Sequence, residues 1–327
     1  MTERGLLDLM ILRIPGLRTA ERSILSEKFD NESDLTILSK KDIEAILGRL
    51  LKEDSWTMEA IRIQAEKDQA AARQRGIKTV SLADSDYPPL IREISDPPAL
   101  LFYRGVLPNP EKPLVGIVGT RRPTSAAAAF SYELGRDLGR QGVPVVSGLA
   151  LGIDAMAHRG NVDAGAPAIA VLGSGLDQVY PASNRPLARR ILESGGVLIS
   201  EYPPGEEPRK WHFPARNRII SALARGTVVV EAPEKSGALI TADFALQQDR
   251  DLWVTAVGVK SLQGKGTAKL SQDGARVIHS ARDILYEWGL SEGSFVLAGV
   301  STENQEELAG TGRALATSLA RTLKIEI

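Results

Sequence analysis

The chain has 327 residues, 43% of them hydrophobic and 25% charged, with no cysteine and a formal net charge of −1. That composition fits a globular chain with room for two or three folding units of about 100–200 residues, and it excludes disulfides, thiolate metal sites and a cysteine nucleophile. With so little net charge, a site for a polyanion has to come from local clustering of cations.

Residues 1–76 read as a small helical domain, with amphipathic stretches over Leu6–Arg13, Thr19–Phe29, Lys41–Leu51 and Trp56–Arg75. No basic stretch followed by a long apolar run opens the chain, and no run approaches the ~18 apolar residues of a membrane helix, so a cytoplasmic protein without membrane association is expected. A connector from Tyr87-Pro88-Pro89 through Asp96-Pro97-Pro98 follows, where the proline pairs impose extended or turn backbone.

Residues 77–288 alternate short apolar runs with amphipathic ones. The apolar runs are Leu114–Val118, Pro144–Ser147, Ala168–Leu172, Val197–Ser200, Thr227–Val230 and Leu252–Val257. None alternates with period two, which predicts strands buried on both faces. Helices are predicted between them, over Ser125–Gln141, Asp154–Ala164, Asn184–Ser194, Asn217–Arg225 and Ala238–Gln248. The alternation makes this an α/β chain with a parallel sheet, whose ligand crevice lies beyond the carboxyl ends of the strands. Residues 289–327 read as a short polar C-terminal tail.

The loops that follow the strands carry the chemistry. They are Gly119-Thr120-Arg121-Arg122-Pro123, Gly148 to Asp154, Gly173-Ser174-Gly175, Glu201 to Gly205, and Glu231 to Lys235-Ser236-Gly237. Glycines let backbone N–H groups approach a ligand, helix N-termini add free donors, and arginines add forked donors for phosphate. Neither Gly-x-Gly-x-x-Gly nor a Walker A loop is present. Arg209, Lys210, Arg216, Arg218 and Arg225 follow in a carboxylate-free segment with Trp211, His212 and Phe213 among them. Cations interleaved with aromatics suit a single-stranded nucleic acid, phosphates on the cations and bases on the rings. Phe213 is expected in a loop as the stacking ring, and Trp211 in the core.

Two pairs of residues admit a catalytic reading. Asp154 and His158 share a helix face. With no third ligand they read as a hydrogen-bonded pair fixing the helix start, not as a metal site. Glu201 and Glu231 are read as ending adjacent strands, where they serve either as paired carboxylates for hydrolysis or, the preferred reading, as acceptors for arginines and backbone N–H groups.

The segment Ser147-Gly148-Leu149-Ala150-Leu151-Gly152-Ile153-Asp154-Ala155-Met156-Ala157-His158-Arg159-Gly160 resembles the signature of the DNA-processing protein A (DprA/Smf) family. So do Ser200 to Gly205, Phe213-Pro214-Ala215-Arg216-Asn217-Arg218-Ile219-Ile220, Lys235 to Ala242, and Gly175-Leu176-Asp177 with Tyr180-Pro181. The resemblance runs from about Tyr87 to Val257. It implies an extended Rossmann domain that binds single-stranded DNA, dimerises and helps load the RecA recombinase during natural transformation, with no catalytic reaction, cofactor or metal. The resemblance carries over as binding candidates Arg121 or Arg122, Lys210, Phe213, Arg216, Asn217, Lys235, Ser236 and Gly237, and the full candidate set adds Gly119, Thr120 and Arg218.

The chain departs from the family pattern in two places. Ala256-Val257-Gly258 stands where Ala-Val-Pro-Gly is usual, and Gly266-Thr267-Ala268 where Gly-Thr-Asn is usual. The tail after Gly289 is too short for the winged helix that ends many members. Leu12 to Ala20 resembles half of a helix-hairpin-helix, with Arg18 in place of its second glycine. The alternative function is a nucleotide-processing hydrolase resembling the cytokinin-activating phosphoribohydrolases, although their Pro-Gly-Gly-x-Gly-Thr run is absent.

Overall fold

The structure is a computed structural model that describes residues 5–52 and 55–290. From residue 291 on, the expected tail lies outside the described residues. Helices α1 (Gly5–Arg13), α2 (Thr19–Lys28), α3 (Glu32–Thr36), α4 (Lys40–Leu47) and α5 (Met58–Gln74) come first. Side chains of Asn31, Ser39 and Thr57 accept hydrogen bonds from the first turns of α3, α4 and α5. Gly48, at φ 67°, ends α4 three residues before the expected stop.

The sheet follows. β1 (Lys78–Ser81), the short α6 (Pro89–Arg92) and β2 (Leu100–Gly105) lead into β3 (Val115–Val118), α7 (Ser125–Arg140), β4 (Val145–Ser147), α8 (Ile153–Asp163), β5 (Ile169–Leu172), α9 (Arg185–Glu193) and β6 (Val197–Ser200). α10 (His212–Leu223), β7 (Gly226–Val229), α11 (Gly237–Gln247), β8 (Asp251–Thr255), α12 (Ala256–Lys260), α13 (Lys265–Gln272) and β9 (Arg276–Ile278) complete it. Residues through His279 form one compact unit; in the second, beginning at Ser280, α14 (Ala281–Glu287) opens with a capping box between Ser280 and Asp283.

Among the described residues the strands order as β1-β2-β6-β5-β4-β3-β7-β8-β9. β3 to β9 are mutually parallel, whereas β1–β2 and β2–β6 are antiparallel and extend one edge. Alternate residues feed two cores. Phe102, Ala170, Leu172 and Leu198 pack with the helices of residues 5–74, α8 and α9, while Leu101, Ile169, Val171, Val197 and Ile199 pack with α10 and α11. Burial on both faces explains why the strands read as unbroken apolar runs.

The sheet order corrects one expectation. β6 and β7 are separated by β5, β4 and β3, so Glu201 and Glu231 are not neighbours. Four strand spacings of about 4.8 Å put their strand ends roughly 19 Å apart, too far for a shared reaction centre.

Candidate nucleic-acid interface

The chain turns in opposite directions from the middle of the sheet. β3 has β4 on one side and β7 on the other, all parallel. Right-handed crossovers therefore send α7 and α11 to opposite faces and leave a crevice above the carboxyl ends of β3 and β7. A cleft of about 850 Å³ occupies this position.

The β3–α7 loop forms one wall. Thr124 caps α7, accepting from the Ala127 N–H, and both its backbone N–H and its hydroxyl donate to the Glu231 carboxylate. Ser261 donates to the same carboxylate. Glu231 is thus a fully buried brace between the loops after β3, β7 and β8. Gly119 is required here, because a Cβ would lie 2.6 Å from Ile153 Cγ1 and 2.9 Å from the Glu231 carbonyl. Held this way, Arg121 and Arg122 are exposed.

The β4–α8 loop forms the floor and carries backbone strain. Leu149, fully buried, has φ 54°, a conformation costly for a side chain with a Cβ. The Asn184 amide donates to the Leu149 and Ala150 carbonyls, and the Asp154 carboxylate accepts from the Gly148 and Ala150 N–H groups. Asp154 fixes the helix start as expected, but through these backbone donors. His158 is fully buried one turn further on, with Ser147 backbone beside it at a geometry short of a full hydrogen bond.

α10 forms the opposite wall, and here the expectations change. The helix begins at His212, five residues early, because Pro214 sits in its first turn, where the missing N–H has no helical partner in any case. Phe213 is therefore helical and half-buried, its ring 5.7 Å from that of Tyr180 and 5.4 Å from the Arg121 guanidinium carbon. Trp211 is 64% exposed and not a core residue. Arg216 is only 5% exposed. It donates to the Gly148 carbonyl at 2.8 Å and to the Val171 carbonyl. Burial lowers its pKa to about 10 against the opposing pull of Asp154, so it stays charged at neutral pH. Burial likewise raises the Asp154 pKa, with Arg216 opposing.

Gly119, Thr120, Arg121, Arg122, Lys210, Phe213, Arg216, Asn217, Lys235, Ser236 and Gly237 all line this one cleft. Arg218 does not join them. It is buried in a bidentate pair with Glu201, at 2.8 and 2.9 Å, and lies 3.3 Å from Asp96. Residues two apart on a helix do not share a face, so with Arg216 turned to the cleft Arg218 is turned from it. Arg121, Arg122, Lys210 and Lys235 have no ion pair among the described residues, and the one carboxylate lining the cleft is Asp154, buried. The cleft is therefore cationic although the chain is nearly neutral.

Sequence reasoning missed three residues here. Tyr180 supplies the second ring, Asn184 holds the strained loop, and Gln263 closes the far rim. The departures from the family pattern leave the β8 loop anchored: Gly266 and Thr267 N–H groups donate to the Ala232 carbonyl, and Thr267 Oγ1 accepts from the Ala232 N–H. Gly258 approaches the Val230 carbonyl so closely that a Cβ would lie 1.8 Å from its oxygen. No cluster of metal-ligating residues exists among the described residues, and no described helix is long and apolar enough to cross a membrane.

The sequence profile of DNA recombination-mediator protein A matches residues 78–289. The chain belongs to this family. Its similarity to DNA processing protein DprA of Bacillus subtilis is 42% identity over 221 residues, 67% of this chain and 73% of that protein. To Protein Smf of Borreliella burgdorferi it is 29% identical over 276 residues, covering 84% and 86% of the two chains. The crystal structure of DNA processing protein A from Streptococcus pneumoniae superposes with a TM-score of 0.69 at 33% identity, over 88% of this chain and 98% of that one. DNA processing protein A from Helicobacter pylori, whose structure concerns a single-stranded DNA binding mode, gives 0.57 at 28% identity over 65% and 95%. The Rossmann-like core is the fold of this family.

His158 gives the site a pH signature. Burial lowers its folded-state pKa from 6.5 to about 3. Between these values the unfolded chain carries the extra proton, so stability falls as pH drops below 6.5. At about 1.4 kcal/mol per pH unit, roughly 3 kcal/mol is lost on approaching pH 4. Denaturant unfolding of the parent and a His158→Gln variant across this range checks it: the parent's slope is the steeper, and identical slopes would show that His158 is not the titrating group.

Proposed function

We propose that the chain binds single-stranded DNA in the cleft between the β3, β7 and α10 loops and acts as a recombination mediator, presenting the strand to RecA recombinase. The observation that carries this reading is the set of four unpaired exposed cations around a half-buried aromatic ring at the switch point of the sheet. Phosphates rest on Arg121, Arg122, Lys210 and Lys235, with Ser236, Gly237 and Asn217 as further donors. Arg216 positions the floor and Arg218 ties α10 to Glu201. The similarity to DNA processing protein DprA of B. subtilis and to the H. pylori protein studied for its single-stranded DNA binding mode supports this reading. The protein works as a cytoplasmic homodimer without catalysis, its helical domain spanning residues 1–76 and its DNA-binding domain residues 77–288.

Phosphate contacts alone would accept a duplex, which carries the denser charge. Preference for single strands needs a group that meets only unstacked bases, and Phe213 fits. Stacking on such a ring is worth about 1–3 kcal/mol. Phe213→Ala is expected to weaken single-strand binding by that amount and leave weak duplex binding and the salt slope unchanged, as measured by competition between a short strand and its duplex. Equal losses for both ligands with a lower Tm would assign Phe213 to the core.

A further inference from the structure

Trp211 stands outside the cleft that Lys210 and Phe213 line. In the first turn of a helix, residues two apart project about 200° apart, and of the two rings only Phe213 faces the cleft. The indole is nevertheless a fixed surface. It meets the His212 ring edge-on at 5.9 Å, and His212 stacks on Tyr202 at 3.9 Å with an interplanar angle of 23°. His212 Nδ1 lies 3.2 Å from the Gly173 carbonyl, so this stack of rings is anchored at the end of β5. Arg209 stands with its guanidinium carbon 5.5 Å from the indole centroid. Its link to Glu206 is a 3.4 Å contact at the surface, which is worth little.

Within four residues of this braced, water-exposed indole the exposed side chains are Glu207, Arg209 and Lys210 on one side and the small Pro214 and Ala215 on the other, so no large apolar side chain is exposed beside it in the sequence. A protein interface around a tryptophan anchor requires apolar surroundings that exclude water, whereas a base requires only a ring face and a nearby cation.

We infer that Trp211 is a second base-stacking platform, outside the cleft, for a nucleotide of the same strand whose neighbour rests on Phe213, with Arg209 meeting its phosphate. This rests on the single-strand reading above and extends the footprint past Lys210. Lys210 adjoins Trp211 in the chain and lines the cleft with Phe213, so a strand held at Lys210 passes close to both rings.

Tryptophan fluorescence reads this out. Trp253 and Trp288 are buried and Trp56 is half-buried, which leaves Trp211 as the most exposed indole of the four. Titration of the full chain with oligothymidylates of increasing length is expected to quench the parent once the strand reaches past Lys210. Trp211→Tyr keeps a ring, so it is expected to hold affinity within about twofold while the quench disappears; Trp211→Leu is expected to bind the longer strands about tenfold more weakly, with an unchanged salt slope and Tm. For a dinucleotide, Trp211→Leu should match the parent. Binding without quench, together with parent-like affinity of Trp211→Leu at every length, would overturn the inference and leave the cleft standing. A lower Tm with equal losses at every length would make Trp211 structural and overturn it too. A parent that binds no oligothymidylate removes the cleft reading itself, and this inference with it.

Discussion

Arg216→Ala is expected to lower stability by about 3–5 kcal/mol, because it removes a buried guanidinium whose charge offsets the burial of the Asp154 carboxylate. The Gly148 and Val171 carbonyls lose a charged donor in the same step. For a chain of this size the Tm should fall by about 10 °C. Asp154→Asn in the same chain removes the orphaned charge and should recover part of the loss. Strand binding should fall as well, since the glycine loop loses its support. Thermal unfolding of the two variants checks the order. An Arg216→Ala protein that melts like the parent but no longer binds would make Arg216 a ligand contact and not a strut.

The combined Arg121→Ala, Lys210→Ala variant is expected to behave in the opposite way. Both side chains are exposed and without ion pairs among the described residues, so their removal leaves nothing buried and unpaired and the Tm should stay within a degree or two. Each charged contact to a phosphate is worth about 1.5–3 kcal/mol, so single-strand affinity should drop by about 100-fold or more. The loss should be similar for all base sequences, because phosphate contacts carry no sequence information. Anisotropy measurements on several labelled oligonucleotides test this. An unchanged affinity with an unchanged fold would mean that the strand lies on another surface.

The central strands were legible because burial on both faces leaves an unbroken apolar run, as in Ile169–Leu172 and Val197–Ser200. β1 and β2 were not, because they become strands through antiparallel pairing with each other and with β6, almost a hundred residues on. β9 is a three-residue edge strand, mostly exposed and too short to show a period. The glycine and arginine loops were readable as a site because their chemistry is local. The division of labour within Phe213–Arg218 was not, since it depends on where α10 begins. A start at His212 turns Arg216 onto the β4 loop and strand β5, 68 and 45 residues back, and Arg218 onto Glu201, 17 residues back. The same start exposes Trp211, which local hydrophobicity assigned to the core. Asn184 and Tyr180 gave no chemical signal of their own. Each acts on a loop that only the fold brings near.

The most direct test is the salt dependence of parent binding to a short single strand. Counterion release gives a logarithmic slope of about −0.7 per phosphate neutralised. Four free cations in one cleft therefore predict a slope of about −2 to −3, reduced by about 1.4 in the Arg121→Ala, Lys210→Ala variant. Binding that is independent of salt, or a slope identical in parent and variant, would contradict the account.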